Sequence, residues 1–381
     1  MSEAVRRLWF PFRENTAVST GILLGAGLRL KLGALLDEHF KGAPRVVLVD
    51  QGAWKHWGEH VASTLGPATK LIELPGGEAC KTPEQWIASC RQLIQFGLPR
   101  NGYLVAIGGG ATCDLAGAVA ATHLRGIRIA QVPTTLLAMV DAGLGGKCAV
   151  NLPEGKNLLG VFHNPELLIV DPEFLRTLSS EELRAGFGEI CKYAVGFSSD
   201  LYDTLDKLPT DEAHKPTIHY DNVAPEFWDG VLEYCLTIKG NIVSEDPREG
   251  EAGKRILLNL GHTSAHALET LAARRGKHLP HGIAVGLGLR VALELAGYLG
   301  RYPKSERLIA HRILSRFGQL ERLPWTEAFP RDELLELLAH DKKRRNDWLR
   351  IILPLPRNNS IRYELKAEEF VERMRPLFAE S

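Results

Sequence analysis

Short apolar segments alternate with amphipathic ones along the first 170 residues of the chain. The segment Leu28–Phe40, for example, has apolar residues three and four apart, which is the spacing of a helix with one buried face. The apolar runs have the length of buried strands and occupy residues 21–25, 45–49, 71–74, 103–107 and 127–132. Strands that alternate with helices predict a mostly parallel, Rossmann-like sheet in an α/β domain.

After Asp171 the pattern changes to longer segments with helical spacing. These segments cover residues 181–195, 228–243, 262–273 and 283–299. They predict an all-α second domain. A length of 381 residues exceeds one ordinary hydrophobic core, which also favours two domains. We expect residues 1–178 to form the first domain and residues 179–381 the second, with a loop-rich connection near residues 209–225.

Charge and cysteine content exclude several classes of protein. Lysine plus arginine and aspartate plus glutamate each total 46, so the net charge is zero and nothing indicates a nucleic-acid or anionic-membrane partner. The six cysteines form no CxxC pair, which favours reduced thiols over a disulfide framework. No apolar run approaches membrane-spanning length, and the first residues lack a signal-peptide core. We expect a soluble, cytoplasmic enzyme.

A glycine triplet, Gly108–Gly110, stands between the apolar run 103–107 and a helical pattern that includes Asp114. Glycines between a strand and a helix let backbone N–H groups approach a pyrophosphate at the helix N-terminus. The same glycine triplet would also be found in a tight turn that binds no ligand. The next strand ends at Thr134 and Thr135, at the edge of the sheet where open α/β folds bind ligands.

Asp141, Lys147, Lys156 and Asn157 follow within one compact stretch that also contains several glycines. Each lysine alone is typical of a solvated surface, and Asp141 alone is typical of a helix cap. Together they predict a cavity for an anionic substrate beside a dinucleotide. Asp50, at the tip of the strand 45–49, is placed to hold a nucleotide ribose.

The helical half contains a set of residues that suits a metal ion. Glu189 and Lys192 are three apart, His262 and His266 are four apart, and His281 opens a further segment. One carboxylate and two imidazoles with an open position form the ligand set of a catalytic zinc site. Histidines four apart also occur in helix cores and on helix surfaces. The spacing is not HExxH, so a metalloprotease is disfavoured.

Several blocks resemble the 3-dehydroquinate synthase family of sugar phosphate cyclases. The first-half blocks are GGGATCDLAG, HLRGIRIAQVPTTLLAMVDAGLGGKCAVN and GKNLLGVFHNP. The second-half blocks are GFGEICKY, GHTSAHALE and PHGIAVGLG. The resemblance extends from about Gly21 to Arg362. It implies the dehydroquinate synthase-like fold, with an NAD-binding α/β domain and a helical domain that binds metal and substrate.

The resemblance also implies roles for individual residues. It implies that one divalent ion, zinc or cobalt, is bound by Glu189, His262 and His281. Four residues match catalytic positions, namely Asp141, Lys147, Lys192 and His266. Six match substrate-binding positions, namely Arg125, Asn157, Lys239, Arg255, Asn259 and Lys342. Positions that contact NAD are matched by Asp50, Glu78, Lys81, Gly109, Gly110, Asp114, Thr134, Thr135, Lys147, Lys156 and Thr177.

Three of these matches, Arg125, Glu78 and Lys81, carry further expectations. Arg125 matches an arginine that reaches the site of the neighbouring subunit, which implies a homodimer. Glu78 and Lys81 precede Thr82, which is also a good N-cap for the helix that starts near Pro83.

The chain departs from the family pattern at a few positions. Ile283 stands where a glutamate usually follows the histidine–glycine pair, Ser264–Ala265 replaces Phe–Gly, Cys113 replaces a common glycine and Gly52 an asparagine. The lost glutamate is expected to loosen the orientation of a metal ligand and to lower metal affinity. All three predicted ligands are present, so we expect an active enzyme.

The function implied by the resemblance is conversion of 3-deoxy-D-arabino-heptulosonate 7-phosphate to 3-dehydroquinate and phosphate. NAD is transiently reduced, phosphate is eliminated, and an intramolecular aldol step closes the ring. One alternative is a sugar phosphate cyclase that acts on sedoheptulose 7-phosphate, which has no carboxylate for Arg255 and Asn259 to bind. Another is a metal- and NAD-dependent polyol dehydrogenase of the glycerol dehydrogenase kind. A catalytically inactive binding protein is disfavoured by the intact metal and lysine positions.

Overall fold

The computed structural model describes residues 6–11, 19–67, 69–207, 219–251, 253–325, 328–339, 344–345, 347–357 and 359–378. The chain divides into two compact units. Unit 1 comprises Met1–Glu182 and His219–Arg248, and unit 2 comprises Leu183–Ile218 and Glu249–Ser381. The sequence predicts one boundary, at residues 178 and 179, whereas the structure also groups the segment 219–248 with unit 1.

Twelve strands are present among the described residues. They are β1 (Arg6–Pro11), β2 (Ser19–Leu24), β3 (Arg45–Asp50), β4 (Lys70–Leu74), β5 (Tyr103–Gly108), β6 (Arg128–Pro133), β7 (Lys147–Leu152), β8 (Gly155–Phe162), β9 (Leu167–Val170), β10 (Arg344–Arg345), β11 (Trp348–Leu355) and β12 (Asn359–Lys366). Nine of them belong to unit 1 and three to unit 2.

The α-helices lie between and after these strands. They are α1 (Leu32–Phe40), α2 (Gln51–Leu65), α3 (Pro83–Gln95), α4 (Gly110–Thr122), α5 (Ser180–Phe197), α6 (Ser199–Asp206), α7 (Pro225–Glu245), α8 (His262–Arg274), α9 (His281–Tyr298), α10 (Lys304–Arg316), α11 (Arg331–Ala339) and α12 (Ala367–Glu372). No helix in the described part of the chain combines the length and the apolar composition needed to cross a membrane.

Unit 1 is built on a seven-stranded sheet in the order β1-β2-β9-β6-β5-β3-β4. Strand β1 pairs antiparallel to β2, and the other pairs are parallel. All six residues of β5 are buried, because helices cover a central parallel strand on its two faces. The predicted strands and the predicted α/β class are therefore confirmed. Strands β7 and β8 form a separate antiparallel pair.

Unit 2 is mainly helical, as predicted, and it also contains a small antiparallel sheet in the order β10-β11-β12. The sequence analysis did not predict this sheet. Its signal was present in β12, where Ile361, Tyr363 and Leu365 alternate with the charged residues Arg362, Glu364 and Lys366. The pairing partner β11 is separated from β12 by only a short turn, which is the usual arrangement of a hairpin.

Candidate metal centre and cofactor-binding segments

Three side chains of unit 2 converge although they come from different helices. Glu189 lies in α5, His262 is the first residue of α8, and His281 is the first residue of α9. The Nε2 atoms of the two histidines lie 3.4 Å and 3.3 Å from Oε1 of Glu189. One ligand atom from each residue falls within 4.8 Å of the others, which is the arrangement of a three-ligand metal centre.

Glycines next to the three ligands bring these helices together. A Cβ atom at Gly188 would lie 1.9 Å from the carbonyl oxygen of Gly282, so α5 and α9 are in backbone contact. A Cβ at Gly288 in α9 would lie 2.0 Å from the carbonyl oxygen of Gly261, which precedes α8 with φ 80°. Each ligand is adjacent in sequence to one of these glycines, so backbone contact between helices sets the distances between ligands.

The carboxylate of Glu189 is fully buried, and no hydrogen bond of regular geometry reaches either of its oxygens within the described residues. Lys192 and the two imidazoles lie within ion-pair distance of it. Burial acts to raise the pKa of Glu189, but the positive charge of Lys192 and the histidines outweighs this effect and holds the pKa well below its usual value. An ionised, buried carboxylate between two imidazoles suits a divalent cation.

The two histidines have different electrostatic environments. Burial lowers the pKa of His262, although Glu189 opposes the shift. For His281, burial also acts to lower the pKa, but Glu189 and Glu269 outweigh it and raise the pKa to about 10. Nδ1 of His262 lies 3.1 Å from the carbonyl oxygen of Leu260, whereas Nδ1 of His281 lies 3.2 Å from Oε2 of Glu269.

His266 borders this centre and is exposed. Its ring lies 5.6 Å from that of His262 and 6.1 Å from that of His281, measured between centroids. Lys192 is almost completely buried, and its amine lies 4.5 Å from the centroid of the Tyr193 ring. The structure therefore brings together the five residues Glu189, Lys192, His262, His266 and His281 that the sequence singled out.

In unit 1, Asp141 lies in a π-helical turn, Ala138–Ala142. The amine of Lys239, which belongs to α7, donates to the backbone oxygen of Asp141 at 2.5 Å and to its Oδ1 at 2.6 Å. Single π-helical turns are rare in proteins, and those that do occur frequently lie at functional sites. The sequence predicted each of these residues at a substrate site, but it gave no sign that they contact each other.

Lys81 connects two further predicted residues of unit 1. Its buried amine donates to Oδ2 of Asp114 at 2.7 Å and also to the side-chain oxygen of Asn157. Burial raises the pKa of Asp114 to about 6, although Lys81 opposes the shift. Asn151, which the sequence analysis missed, donates to Oε2 of Glu78 at 2.7 Å and accepts from the backbone N–H of Asn157 at 3.0 Å.

The glycine turn has the predicted form. Gly109 precedes α4, and a Cβ at Gly108 would lie 2.8 Å from the Cβ of Asp50. The Asp50 side chain caps α2 by accepting from the N–H of Ala53 at 3.0 Å, and it also accepts from Gly77 at 3.3 Å. Thr82 caps α3 by accepting from Gln85 at 3.1 Å, as predicted.

The remaining predicted residues are scattered over the two units. In unit 1, Thr134 is buried next to the end of β6, and Thr135 caps the helical turn that follows. The hydroxyl of Thr177 accepts a hydrogen bond from the indole N–H of Trp57 at 3.0 Å. The side chains of Lys147, Lys156 and Arg125 are exposed. In unit 2, Arg255 is buried, and Asn259 donates to Glu249 at 2.6 Å. The four-residue spacing of Arg255 and Asn259 predicts one shared face of an α-helix, and this is wrong, because the two residues lie in a 3-10 helix with three residues per turn. Lys342 lies outside the described residues.

Comparison with solved structures identifies the class of the fold. The structure is similar to that of 2-deoxy-scyllo-inosose synthase complexed with carbaglucose-6-phosphate, NAD⁺ and Co²⁺, with a TM-score of 0.80 and 25% sequence identity. The match covers 98% of this chain and 99% of that one. The fold is thus that of a sugar phosphate cyclase.

Sequence comparison defines the family more closely. Residues 71–185 match the model of the 3-dehydroquinate synthase N-terminal domain, and residues 186–344 match that of the C-terminal domain. The 3-dehydroquinate synthases of Thermosynechococcus vestitus and Acaryochloris marina are 40% and 37% identical over 341 residues. These matches cover 87% of this chain and 89% and 88% of the respective relatives. The chain belongs to the 3-dehydroquinate synthase family, which confirms the family predicted from the motifs.

Sequence reasoning missed one functional candidate at the metal centre, Glu269. It stands seven residues after His262, so the two side chains project from the same side of α8 two turns apart. That spacing indicates that Glu269 lies on the same side of α8 as His262, but it does not indicate a contact with His281.

Proposed function

We propose that this chain catalyses the 3-dehydroquinate synthase reaction, conversion of 3-deoxy-D-arabino-heptulosonate 7-phosphate to 3-dehydroquinate and phosphate. The observation that carries the proposal is the convergence of Glu189, His262 and His281 in a chain of this family. When bound, NAD would accept and return a hydride, and a zinc or cobalt ion would act as a Lewis acid on a substrate oxygen.

The metal-binding role follows from the geometry of unit 2. Glu189 supplies a buried anionic oxygen, and each histidine directs Nε2 towards it. His266 borders the centre, and we assign it to the substrate phosphate. Lys192 is buried beside Glu189 and partly neutralises its charge, and we assign its amine to contact with the substrate.

Unit 1 supplies the residues for NAD and for the remaining polar groups of the substrate. Gly109 and Gly110, at the start of α4, present backbone N–H groups to the pyrophosphate. Asp141 orients a substrate hydroxyl or a water molecule, and Lys239 holds Asp141 in place. The other proposed NAD contacts are Asp50, Glu78, Lys81, Asp114, Thr134, Thr135, Lys147, Lys156 and Thr177.

The substrate carries one carboxylate and one phosphate, and each needs cationic partners. We assign the carboxylate to Arg255 and Asn259, since a guanidinium fork matches two carboxylate oxygens. We assign the phosphate to Lys147, Asn157 and Lys342, together with His266.

The decisive experiment measures two products at once. Purified protein is incubated with the heptulosonate phosphate, catalytic NAD and zinc, and phosphate and 3-dehydroquinate are followed together. Equal amounts of the two products support the proposal. Accumulation of NADH in proportion to substrate would indicate a polyol dehydrogenase, and turnover of sedoheptulose 7-phosphate instead would indicate another cyclase. The Glu189→Ala variant serves as the metal-free control.

We further propose a cytoplasmic homodimer in which Arg125 completes the site of the partner subunit. Arg125 is exposed, and it follows Leu124 in a turn where these two residues have positive φ angles of 66° and 49°. Mixing inactive Arg125→Ala and Glu189→Ala variants would test this. A shared site restores up to about one quarter of wild-type activity, since half of randomly formed dimers are mixed and each has one intact site. No recovery after confirmed subunit exchange would refute the shared site.

A further inference from the structure

Glu269 lies in α8 and contacts His281, one of the three ligands of the metal centre. Its Oε2 is 3.2 Å from Nδ1 of His281, and the Nε2 atom of the same ring is 3.3 Å from Oε1 of Glu189. The Glu269 side chain is only 9% exposed. The imidazole is therefore held between two carboxylates from different helices, one on each nitrogen.

The two nitrogens of a neutral imidazole have different tasks, because one carries the proton and the other a lone pair. An acceptor beside Nδ1 places the proton there and leaves the lone pair of Nε2 for a metal ion. His262 has such an acceptor in the carbonyl oxygen of Leu260, at 3.1 Å. For His281 the acceptor is a side chain, Glu269.

We propose that Glu269 is a positioning residue that fixes the ring orientation and the tautomer of His281 for metal binding. The proposal rests on the metal centre described under the proposed function. His281 thus has a carboxylate partner on Nδ1 even though Ile283, which is buried in α9, supplies none. The carboxylate beside Nδ1 of His281 comes from α8, seven residues after His262.

A competing arrangement uses the same atoms differently. His266, Glu269 and His281 also lie close enough to bind an ion together. That arrangement would require Nδ1 of His281 to give up its contact with Glu269 and accept a metal instead. The set around Glu189 has the stronger claim, because its carboxylate is completely buried and its oxygens have no regular hydrogen bond within the described residues. A second bound ion per chain would favour the competing arrangement.

The test compares Glu269→Ala, Glu269→Gln and a matched control in the full-length protein. Glu336→Ala is the control, because it removes the same charge from an exposed side chain that pairs with Arg274 of α8 at 3.1 Å. Affinities for Zn²⁺ and Co²⁺ are measured by competition with a chromophoric chelator. The visible spectrum of bound Co²⁺ reports the ligand geometry, and thermal unfolding of the metal-free proteins reports the fold.

We expect Glu269→Ala to weaken metal binding by about 10- to 100-fold, the usual effect of losing a carboxylate behind a histidine ligand. Glu269→Gln keeps an acceptor oxygen, so it should lose less affinity and keep the Co²⁺ spectrum. Glu336→Ala should match the wild type. In a His281→Ala background, Glu269→Ala should cause no further loss, because it acts only through that ring.

Three results would overturn the proposal. One is unchanged metal affinity in Glu269→Ala. Another is a loss of metal-free stability that accounts for the whole effect, which would make Glu269 merely structural. The third is binding of two ions per chain with one lost in the variant. Failure of the wild-type protein to bind any metal would instead refute the proposed function, so the two failures are distinguishable.

Discussion

Gly188 in α5 and Gly282 in α9 approach so closely that a Cβ atom on Gly188 would lie 1.9 Å from the carbonyl oxygen of Gly282. A Cβ on Gly282 would lie 1.6 Å from the carbonyl oxygen of Ala185, so the contact is tight from either side. Glu189 and His281 are the chain neighbours of these two glycines. The metal centre is therefore located where two helix backbones touch.

Adding a methyl group at this contact should separate the helices and the ligands. We expect Gly188→Ala to lower the free energy of unfolding by about 1–3 kcal/mol, the usual cost of overpacking, and to weaken zinc binding. Urea unfolding and zinc titration measure the two effects. Gly230→Ala in α7 is the control, because a Cβ there meets no atom within 4 Å, and it should change stability by less than about 1 kcal/mol. Equal effects in the two variants would contradict the packing argument.

Replacing Lys239 should affect catalysis more than metal binding. Lys239→Met keeps the bulk of a buried side chain but removes two hydrogen bonds to Asp141. A charged hydrogen bond contributes about 1.5–3 kcal/mol, so kcat should fall by about 10- to 100-fold if Asp141 orients substrate. Steady-state kinetics and zinc titration test this. Lys55→Met, on the exposed face of α2, should behave as the wild type. Unchanged kcat in Lys239→Met would refute the assigned role.

The pKa of Asp114 predicts a specific dependence of stability on pH. Burial raises this pKa from 3.8 to about 6, so between these values the folded state binds more protons than the unfolded state. The contribution of Asp114 to the free energy of unfolding is therefore fully present below about pH 4 and is lost as the pH rises through 6. It amounts to roughly 3 kcal/mol at most, since one pKa unit corresponds to about 1.4 kcal/mol.

Asp114→Asn should remove this contribution. The difference in unfolding free energy between wild type and variant should therefore change between pH 4 and pH 7, with the wild type losing more stability as the pH rises. Urea unfolding at several pH values measures the difference. Parallel curves would show that Asp114 has an ordinary pKa in the folded protein.

Metal removal should destabilise the wild type but not a variant that lacks a ligand. Zinc at 100 times its dissociation constant stabilises a folded protein by about 2.7 kcal/mol. For a protein of this size the melting temperature should rise by roughly 3–4 °C when zinc is added to chelator-treated protein. Glu189→Ala and His262→Ala should show no such rise. An equal rise in these variants would place the ion elsewhere.

Arg255 should discriminate between substrates with and without a carboxylate. Its side chain is buried, so Arg255→Leu removes the charge without leaving an exposed apolar residue. We expect kcat/KM for the heptulosonate phosphate to fall at least about 100-fold, because a charged hydrogen-bonded pair contributes about 1.5–3 kcal/mol per bond. A decarboxy analogue should lose far less. An equal loss with the two substrates would remove the carboxylate assignment.

The local structure of this protein was largely determined by its sequence. Apolar runs of strand length and segments with helical spacing predicted the α/β half and the helices α5, α7, α8 and α9, because these signals depend on neighbours along the chain. The glycine turn before α4 and the Thr82 cap of α3 are local for the same reason. The hairpin of β11 and β12 is also local, and its alternating pattern was missed among stronger helical signals.

Only the tertiary structure decided which distant residues meet. Lys239 and Asp141 are 98 residues apart, and their contact depends on α7 belonging to unit 1. Glu269 could be identified as the partner of His281 only after α8 and α9 were placed, since spacing within one helix does not report the approach of another. Glycines let helices touch, but the sequence does not say which glycines touch each other. The sequence thus determined which functional side chains are present and in which local element each one lies. Tertiary packing determined which of these side chains meet.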